Sequence, residues 1–304
     1  MRIALVVVAL LLAFAAFAIV QPFTGAGRAF AGPPADPQRL KKLVNELVSL
    51  GPRHDAQGQA RAADWIRAQL LALGVVPLMQ FYRFDGADYR NLIVGLGPQT
   101  PQRLVISAHY DARGPFPGAD DDGSGTAGLL ELARMLRDAS LPLRTELVFY
   151  SNEEYGLRGS EFHARGIPPG SMRAMISLEM LGCYDQPQKF PFALLKLLYP
   201  TFGNYIVVVG RLQDFALVRA VKRALRGAKA PVRSIDAPEA IPGIGDSDHR
   251  SFWRAGATAV MLTDTAWYRN PHYHTATDIP DTLDYVRMAL VVDGVAAWAS
   301  QVPR

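Results

Sequence analysis

The stretch LVISAHYD, residues 104–111, joins a short apolar run directly to a histidine and an aspartate. The arrangement recurs twice: ELVFY (146–150) precedes a pair of glutamates, and AMISL (174–178) precedes Glu179. Apolar runs of this length are typical of buried strands. In open α/β sheets the functional crevice lies at the carboxyl ends of the strands. The three stretches therefore predict a buried sheet with imidazole and carboxylate groups gathered at one of its edges.

Helical patterns alternate with short apolar runs along most of the 304 residues. Strands rich in Val, Ile and Leu that alternate with helices indicate a largely parallel sheet covered on both faces. We therefore expect one α/β domain, since single α/β domains reach this size. The predicted strands are 92–96, 104–108, 146–150, 174–178, 205–209 and 257–262, and the predicted helices begin near residues 37, 57, 124, 158, 214, 248 and 282.

The N-terminal residues 1–20 are predicted to be a membrane anchor or a signal segment. The eighteen residues from Ile3 to Val20 carry no charge. The length of this stretch reaches the lower limit for a bilayer span and exceeds the usual length of the apolar core of a signal sequence. Length favours an uncleaved anchor, although small residues at 16–18 and 29–31 offer cleavage sites. Because Arg2 should stay on the cytoplasmic side, the rest of the chain is expected on the extracytoplasmic side, periplasmic or extracellular, or secreted after cleavage.

Residues 21–36 are rich in Gly, Ala and Pro and predict a flexible linker to a domain spanning 37–304. The lone Cys183 excludes an intramolecular disulfide. The net charge of +4 does not predict a nucleic-acid partner, because the cations are scattered, with no run longer than Lys41-Lys42.

The run GADDDGSG, residues 118–125, sets three carboxylates between glycines. Buried carboxylates need a partner or a metal. The spacing up to Glu131 also fits a calcium loop, D-x-D-x-S-G-x5-E, but that motif requires a preceding helix, and RGPFPG (113–118) cannot form one. We expect instead that one of the aspartates bridges two metal ions about 3.5–4 Å apart, a spacing that suits a shared water.

Neighbouring residues complete a hydrolytic site. His109 is a candidate zinc ligand, and Asp111, two residues along an extended backbone, can hold the other ring N–H. Glu153 and Glu154 divide two roles, one binding metal and the other accepting a proton from water. A histidine near the C-terminus must complete the set.

The residues Ser247-Asp248-His249 also suggest a Ser-His-Asp hydrolase, but the chain contains no G-x-S-x-G nucleophile elbow. Residues 184–205 form an apolar segment between two of the motif-bearing strands. Three interpretations of this segment stay open: it lines a substrate pocket, packs as core or touches a membrane.

Six motifs taken in chain order resemble those of the zinc-dependent M28 peptidases, a family of bacterial and vesicle-type aminopeptidases. The resemblance covers about residues 37–300 and implies a mixed, largely parallel sheet sandwiched by helices. The motifs are HYD (109–111), GADDD (118–122), NEEYGLRGS (152–160), LEMLG (178–182), SDH (247–249) and HT (274–275).

The same resemblance implies two Zn2+ ions in the catalytic domain 37–304. One ion would be held by His109 and Glu179 and the other by Glu154 and His274, with Asp121 bridging them, Glu153 as general base and Asp111 as partner of His109. Two departures stand out. Many members carry Asp in place of Glu179, and residues 241–246 lack the Tyr that several members place before Ser-Asp-His, for which Tyr268, Tyr273 and His249 are candidate substitutes.

The sequence thus predicts an exported di-zinc aminopeptidase that acts on peptides with a free N-terminus. One alternative is a glutaminyl-peptide cyclase-like acyltransferase, which shares the fold but works with a single zinc. The other is an inactive binding ectodomain. The complete set of five ligands argues against both.

Overall fold

The computed structural model describes Phe17 and residues 19–303. The predicted anchor therefore lies almost entirely outside the described residues and stays a prediction. Among the helices that are described, none is both long enough and apolar enough to cross a membrane.

The described residues form seven α-helices and ten strands. The helices are α1 (Pro37–Ser49), α2 (Ala56–Ala72), α3 (Gly123–Leu136), α4 (Arg158–Gly166), α5 (Phe215–Gly227), α6 (His249–Arg254) and α7 (Tyr285–Gln301). The strands are β1 (Leu78–Phe84), β2 (Ala87–Leu96), β3 (Arg103–His109), β4 (Arg144–Tyr150), β5 (Met172–Glu179), β6 (Gln186–Pro187), β7 (Phe202–Gly203), β8 (Ile206–Gly210), β9 (Val232–Asp236) and β10 (Ala259–Thr263).

Eight of the strands form one sheet in the order β1-β2-β4-β3-β5-β10-β8-β9. The centre, from β4 through β3 and β5 to β10, is parallel, whereas β2 and β8 run antiparallel to their central neighbours. Helices α1, α2, α3, α5 and α7 cover one face, and α4 and α6 cover the other. The predicted mixed, largely parallel sheet sandwiched by helices is confirmed.

Two edge strands were missed from the sequence. β1 pairs with β2 through a turn at Asp85 and Gly86, both with positive φ, which matches the Asp-Gly signal for a tight hairpin. Only Tyr82 of β1 is buried, and β9 carries Arg233 and Ser234 between its apolar residues, so neither shows the continuous apolar run of a central strand. Partly exposed edge strands lack the signal on which the other predictions rest.

The predicted flexible linker, residues 21–36, packs against the domain. Lys222, which is buried, donates from Nζ to the carbonyl of Gln21 at 2.9 Å, and the backbone N–H of Ala35 donates to Asp293 Oδ1 at 2.8 Å. Buried charged groups need such partners, and the backbone of this segment supplies them. Composition alone indicated flexibility because the partners lie about 200 residues away along the chain.

Acid is expected to destabilise the fold through His163. This side chain is buried, its Nδ1 forms a hydrogen bond with Tyr150 Oη at 2.7 Å, and burial lowers its pKa to about 4. Between about pH 6.5 and pH 4 the unfolded chain binds a proton at His163 that the folded chain does not. The stabilisation of the folded state by neutral His163 is therefore complete above pH 6.5 and disappears as the pH falls to 4.

Urea unfolding of the wild type and of His163→Gln, compared at each pH, isolates the effect because the other titrating groups cancel. The stability advantage of the wild type should shrink by up to about 3 kcal/mol across this range. An advantage that stays constant with pH would show that His163 is not held neutral in the fold.

Candidate metal centre

The predicted site residues reach one edge of the sheet from five different segments. His109 and Glu179 are the last residues of the neighbouring strands β3 and β5. Glu153 and Glu154 follow β4, and Asp121 lies in the turn that leads into α3. The fifth segment, which precedes α7, carries His274.

One triad comprises His109, Asp121 and Glu179. His109 Nε2 lies 3.3 Å from Asp121 Oδ1 and 3.6 Å from Glu179 Oε1, and all three side chains are buried. His109 Nε2 has no hydrogen-bond partner among the described residues. A buried polar atom of this kind needs a partner, and an imidazole with two carboxylates is a donor set that suits zinc.

A second triad comprises Asp121, Glu154 and His274. His274 Nε2 lies 2.9 Å from Asp121 Oδ2 and 3.2 Å from Glu154 Oε1. In the described part of the chain, His274 Nε2 and Glu154 Oε1 are also buried without a hydrogen bond. Asp121 therefore presents one carboxylate oxygen to each triad, as a residue shared between two metal ions would. The ligand atoms of each triad lie within 4.8 Å of one another.

Asp111 connects the first triad to the glutamate pair. Its Oδ1 lies 3.4 Å from His109 Nδ1, and its carboxylate accepts the backbone N–H groups of Glu153 at 3.1 Å and Glu154 at 3.3 Å. One buried carboxylate thus lies beside the His109 ring and holds the loop that carries both glutamates.

Replacing Asp111 by asparagine is expected to lower metal affinity or activity by about 10- to 100-fold, the usual cost of losing a carboxylate behind a ligating histidine. Competition with a chromogenic chelator measures the affinity. Asp138→Asn, at an exposed position beyond α3, is the matched control. If Asp111→Asn and Asp138→Asn bind metal equally tightly, Asp111 has no orienting role.

Negative charge accumulates at the centre and shifts its pKa values. Burial raises the pKa of the Glu153 carboxyl well above its usual range, opposed by His109 and reinforced by the charge of Glu179. Burial, followed by the charge of Asp121, raises the pKa of Glu154 to about 7. Burial also raises that of Asp121, but the adjacent imidazoles of His109 and His274 outweigh it and hold its pKa below the ordinary value. Bound cations would offset this crowding of carboxylates.

Strained backbone marks three loops around the centre. Asn152, Met180 and His274 are not glycines, yet each has a φ of 55°. Residues held in this left-handed region cost free energy and cluster at functional sites. Each of the three is a site residue or lies next to one.

Two groups that hold the acidic turn were not found from the sequence. Asp278 accepts the backbone N–H groups of Asp120 and Asp121 at 2.9 and 3.2 Å. Arg53, fully buried, donates to three backbone carbonyls, at Tyr110, Pro117 and Gly118. Asp278 lies four residues after His274, and this proximity to a predicted ligand could have indicated a role at the site. Nothing in the sequence links Arg53 to carbonyls about 60 residues away.

The other metal and hydrolase interpretations fail on geometry. Glu131, the last position of the calcium-loop pattern, is buried in ion pairs with Arg39 at 3.0 Å and Arg134 at 2.6 Å. His249 Nε2 contacts the Ile244 carbonyl at 2.7 Å, and its ring packs on Trp253. Ser247 donates instead to Glu179 Oε2 at 2.7 Å. There is accordingly no Ser-His-Asp triad around Ser247 in the described chain.

An apolar cavity opens beside Glu179, with about 820 Å³ of empty space including its mouth. Residues from the segment 184–205 form part of its wall, so part of that segment lines a cavity beside the centre. Tyr273 stands between cavity and centre, its ring stacked on His274 at 3.7 Å between centroids. Other residues of the wall include Phe190, Leu195, Tyr199, Met261 and Trp267.

The model of peptidase family M28 matches residues 91–299. The chain is 38% identical to the protein YfbL of Escherichia coli (strain K12), over 86% of this chain and 87% of that one. It is 27% identical to a probable leucine aminopeptidase of Arthroderma otae, over 83% of this chain and 68% of the relative.

Solved structures share the fold. A leucine aminopeptidase precursor from Bacteroides thetaiotaomicron superposes with a TM-score of 0.71 at 20% identity, covering 90% of this chain and 100% of that one. The glutaminyl cyclase of Fimbriiglobus ruber gives a TM-score of 0.70 at 22% identity, covering 90% and 97%. The same fold therefore serves an aminopeptidase and a cyclase, so the fold alone does not separate the two activities.

Proposed function

The chain belongs to peptidase family M28, and from this premise we propose that it is a di-zinc aminopeptidase that removes the N-terminal residue of peptides. The observation that carries the proposal is the pair of triads that share Asp121, one oxygen facing each. Two adjacent sets of nitrogen and oxygen ligands suit a reaction in which two metals act on one water.

The residues of the centre have distinct roles in this proposal. Two zinc ions, when bound, would supply a water of lowered pKa and polarise the scissile carbonyl. Glu153 accepts the proton of the attacking water and returns it to the leaving amine, because it lies beside the ligands without belonging to either triad. Asp111 keeps Glu153 in place through its backbone N–H. Tyr273, between the centre and the cavity, donates a hydrogen bond from its hydroxyl to the oxyanion that develops on the carbonyl oxygen.

The cavity beside Glu179 defines the preferred substrate. Aromatic and aliphatic side chains dominate its wall, and burying an apolar side chain there is favourable by about 1.5–3 kcal/mol for a residue such as Leu, Phe or Met. We propose that peptides beginning with such residues are preferred over peptides that begin with a charged residue.

The metal count separates this proposal from a single-zinc cyclase. Elemental analysis of the purified full chain should give two zinc ions per chain, and His274→Ala should give one, because only the second triad loses its imidazole. His109→Ala is the matched variant for the first triad and should likewise retain one ion. A wild-type content of one zinc, unchanged in His274→Ala, would contradict the di-zinc proposal.

The proposed location is the extracytoplasmic side of a membrane, with residues 1–20 as anchor, or as a cleaved signal if the protein is secreted. The uncharged apolar stretch from Ile3 to Val20 behind Arg2 supports this orientation. The natural substrates would then be peptides outside the cytoplasm, and no nucleic-acid partner is proposed.

A further inference from the structure

Two segments that meet at the edge strand β9 carry positive charge almost without acidic residues. The segments 19–35 and 188–235 together contain ten lysines and arginines but a single acidic residue, Asp214. Asp214 is buried and pairs with Arg211 at 2.7 Å, so it contributes no free negative charge to the surface. Exposed cations of these segments include Arg28, Lys189, Lys196, Arg219, Arg223 and Lys229.

Large apolar side chains are exposed among these cations. Leu194 is 69% exposed, Leu197 79% and Phe23 80%, and Phe202 and Leu212 are each more than half exposed. Contact with water is unfavourable for leucine and phenylalanine side chains. Clusters of exposed ones mark surfaces that contact a partner or a membrane.

Both segments meet at the edge strand β9. Tyr199 Oη donates to the carbonyl of Ser234 at 2.8 Å, and the Ser234 hydroxyl donates to the carbonyl of Val20 at 3.0 Å. Gln21 also donates to the Phe215 carbonyl at 3.2 Å, next to the segment that bears Leu212. The exposed apolar residues therefore belong to the two segments that meet where the uncharged stretch ending at Val20 enters the domain.

The opposite edge of the sheet differs in charge. At β1 the exposed apolar residues Val76, Leu78 and Phe81 lie close in sequence to Asp85 and Asp88, which are also exposed. An anionic lipid surface would repel these carboxylates. Apolar exposure thus occurs at both edges, but only the β9 edge combines it with uncompensated positive charge.

We propose that the surface formed by the exposed residues of 19–35 and 188–235, here called the basic edge, docks on a bilayer that contains anionic phospholipid. Cations attract the anionic headgroups, and leucine and phenylalanine side chains enter the boundary between headgroups and acyl chains. Lys189 of this surface lines the cavity beside Glu179 together with its neighbour Phe190, so docking holds the cavity mouth close to the lipid. The inference does not depend on the reaction at the metal centre.

A fluorescent label at position 197 tests the docking in the full chain. Leu197→Cys, labelled with the environment-sensitive fluorophore NBD, is reconstituted into vesicles of phosphatidylcholine alone or mixed with phosphatidylglycerol. The natural Cys183 is buried and should not compete for the label. We expect a several-fold rise in emission with a blue shift in the mixed vesicles, weakened by salt because screening reduces the attraction. Val76→Cys at the opposite edge is the matched control and should show no such rise.

Charge reversal tests the role of the cations. Lys196→Glu combined with Arg219→Glu should lower the ratio of docked to undocked chains by at least about 30-fold, a factor of about five for each lost cation, since the new carboxylates are also repelled by the lipid. Arg67→Glu combined with Arg173→Glu, at exposed positions elsewhere, should leave the ratio unchanged. Neither pair lines the cavity or the centre, so unaltered thermal unfolding and peptide hydrolysis verify that the variants fold.

Three outcomes would overturn the proposal. The label at position 197 would stay in water in both lipid mixtures, or it would respond equally with and without phosphatidylglycerol. In the third, its emission would rise without vesicles in proportion to protein concentration, which would assign the surface to a second copy of the chain.

Discussion

Replacing Glu153 by glutamine is expected to lower kcat by about 100- to 10,000-fold, the usual contribution of a positioned general base. Glutamine keeps the size of the side chain but cannot accept a proton from water. Glu153 belongs to neither triad, so metal content should remain at the wild-type value. Steady-state hydrolysis of a peptide with an N-terminal leucine, combined with elemental analysis of the same sample, measures both quantities.

Glu154→Gln is the matched control, because the two glutamates are neighbours with different proposed roles. Glu154 lies 3.2 Å from His274 Nε2 in the second triad, so its replacement should reduce metal content as well as activity. Comparable activity in Glu153→Gln and the wild type would remove Glu153 from the mechanism. Loss of metal in Glu153→Gln would reassign it as a ligand.

Replacing Tyr273 by phenylalanine is expected to lower kcat by about 100- to 1,000-fold with a small change in KM, as removal of one oxyanion donor does. The Tyr273 ring stacks on His274, and burial followed by the charge of Asp121 raises the pKa of its hydroxyl. The hydroxyl therefore stays protonated and can donate at neutral pH. Phenylalanine preserves the stacking and removes only the donor.

Tyr268→Phe provides the comparison. Tyr268 also lines the cavity, but its hydroxyl already donates to the Pro242 carbonyl at 3.3 Å. Its replacement should change kcat by less than tenfold. An equal loss in both variants would indicate a general effect on the cavity, and an unchanged kcat in Tyr273→Phe would exclude it as the oxyanion donor.

The central fold was predictable because the buried strands are mostly apolar runs, and two of the central ones end at an ionisable residue. β3 ends at His109 and β5 at Glu179, so the apolar runs themselves indicate which edge of the sheet carries the site. The hairpin edge β1 and the short strand β9 are partly exposed. Neither shows a clear alternation of apolar and polar residues or a continuous run of apolar residues. Edge strands depend on their partner strands, which a single sequence does not display.

The chemistry-bearing side chains were predictable to a greater degree than the groups that position them. Carboxylates and histidines at strand ends are unusual in a sequence, whereas Arg53 resembles any surface arginine until its three carbonyl partners are seen. The ordered segment 21–36 is a similar case. Its Gly, Ala and Pro content indicated flexibility, but contacts with Lys222 and Asp293 hold it, and these arise only from the tertiary fold.

The most direct test of the central proposal is to incubate the zinc-loaded full chain with a peptide mixture and follow each mass by mass spectrometry. The mixture contains free, acetylated and Gln-leading N-termini, with Leu and Asp as alternative first residues of the free peptides. The account predicts loss of one N-terminal residue from the free peptides only, faster for Leu than for Asp. Loss of ammonia from the Gln-leading peptide without hydrolysis of the others would contradict it and identify a cyclase, and no change in any peptide would indicate a binding ectodomain.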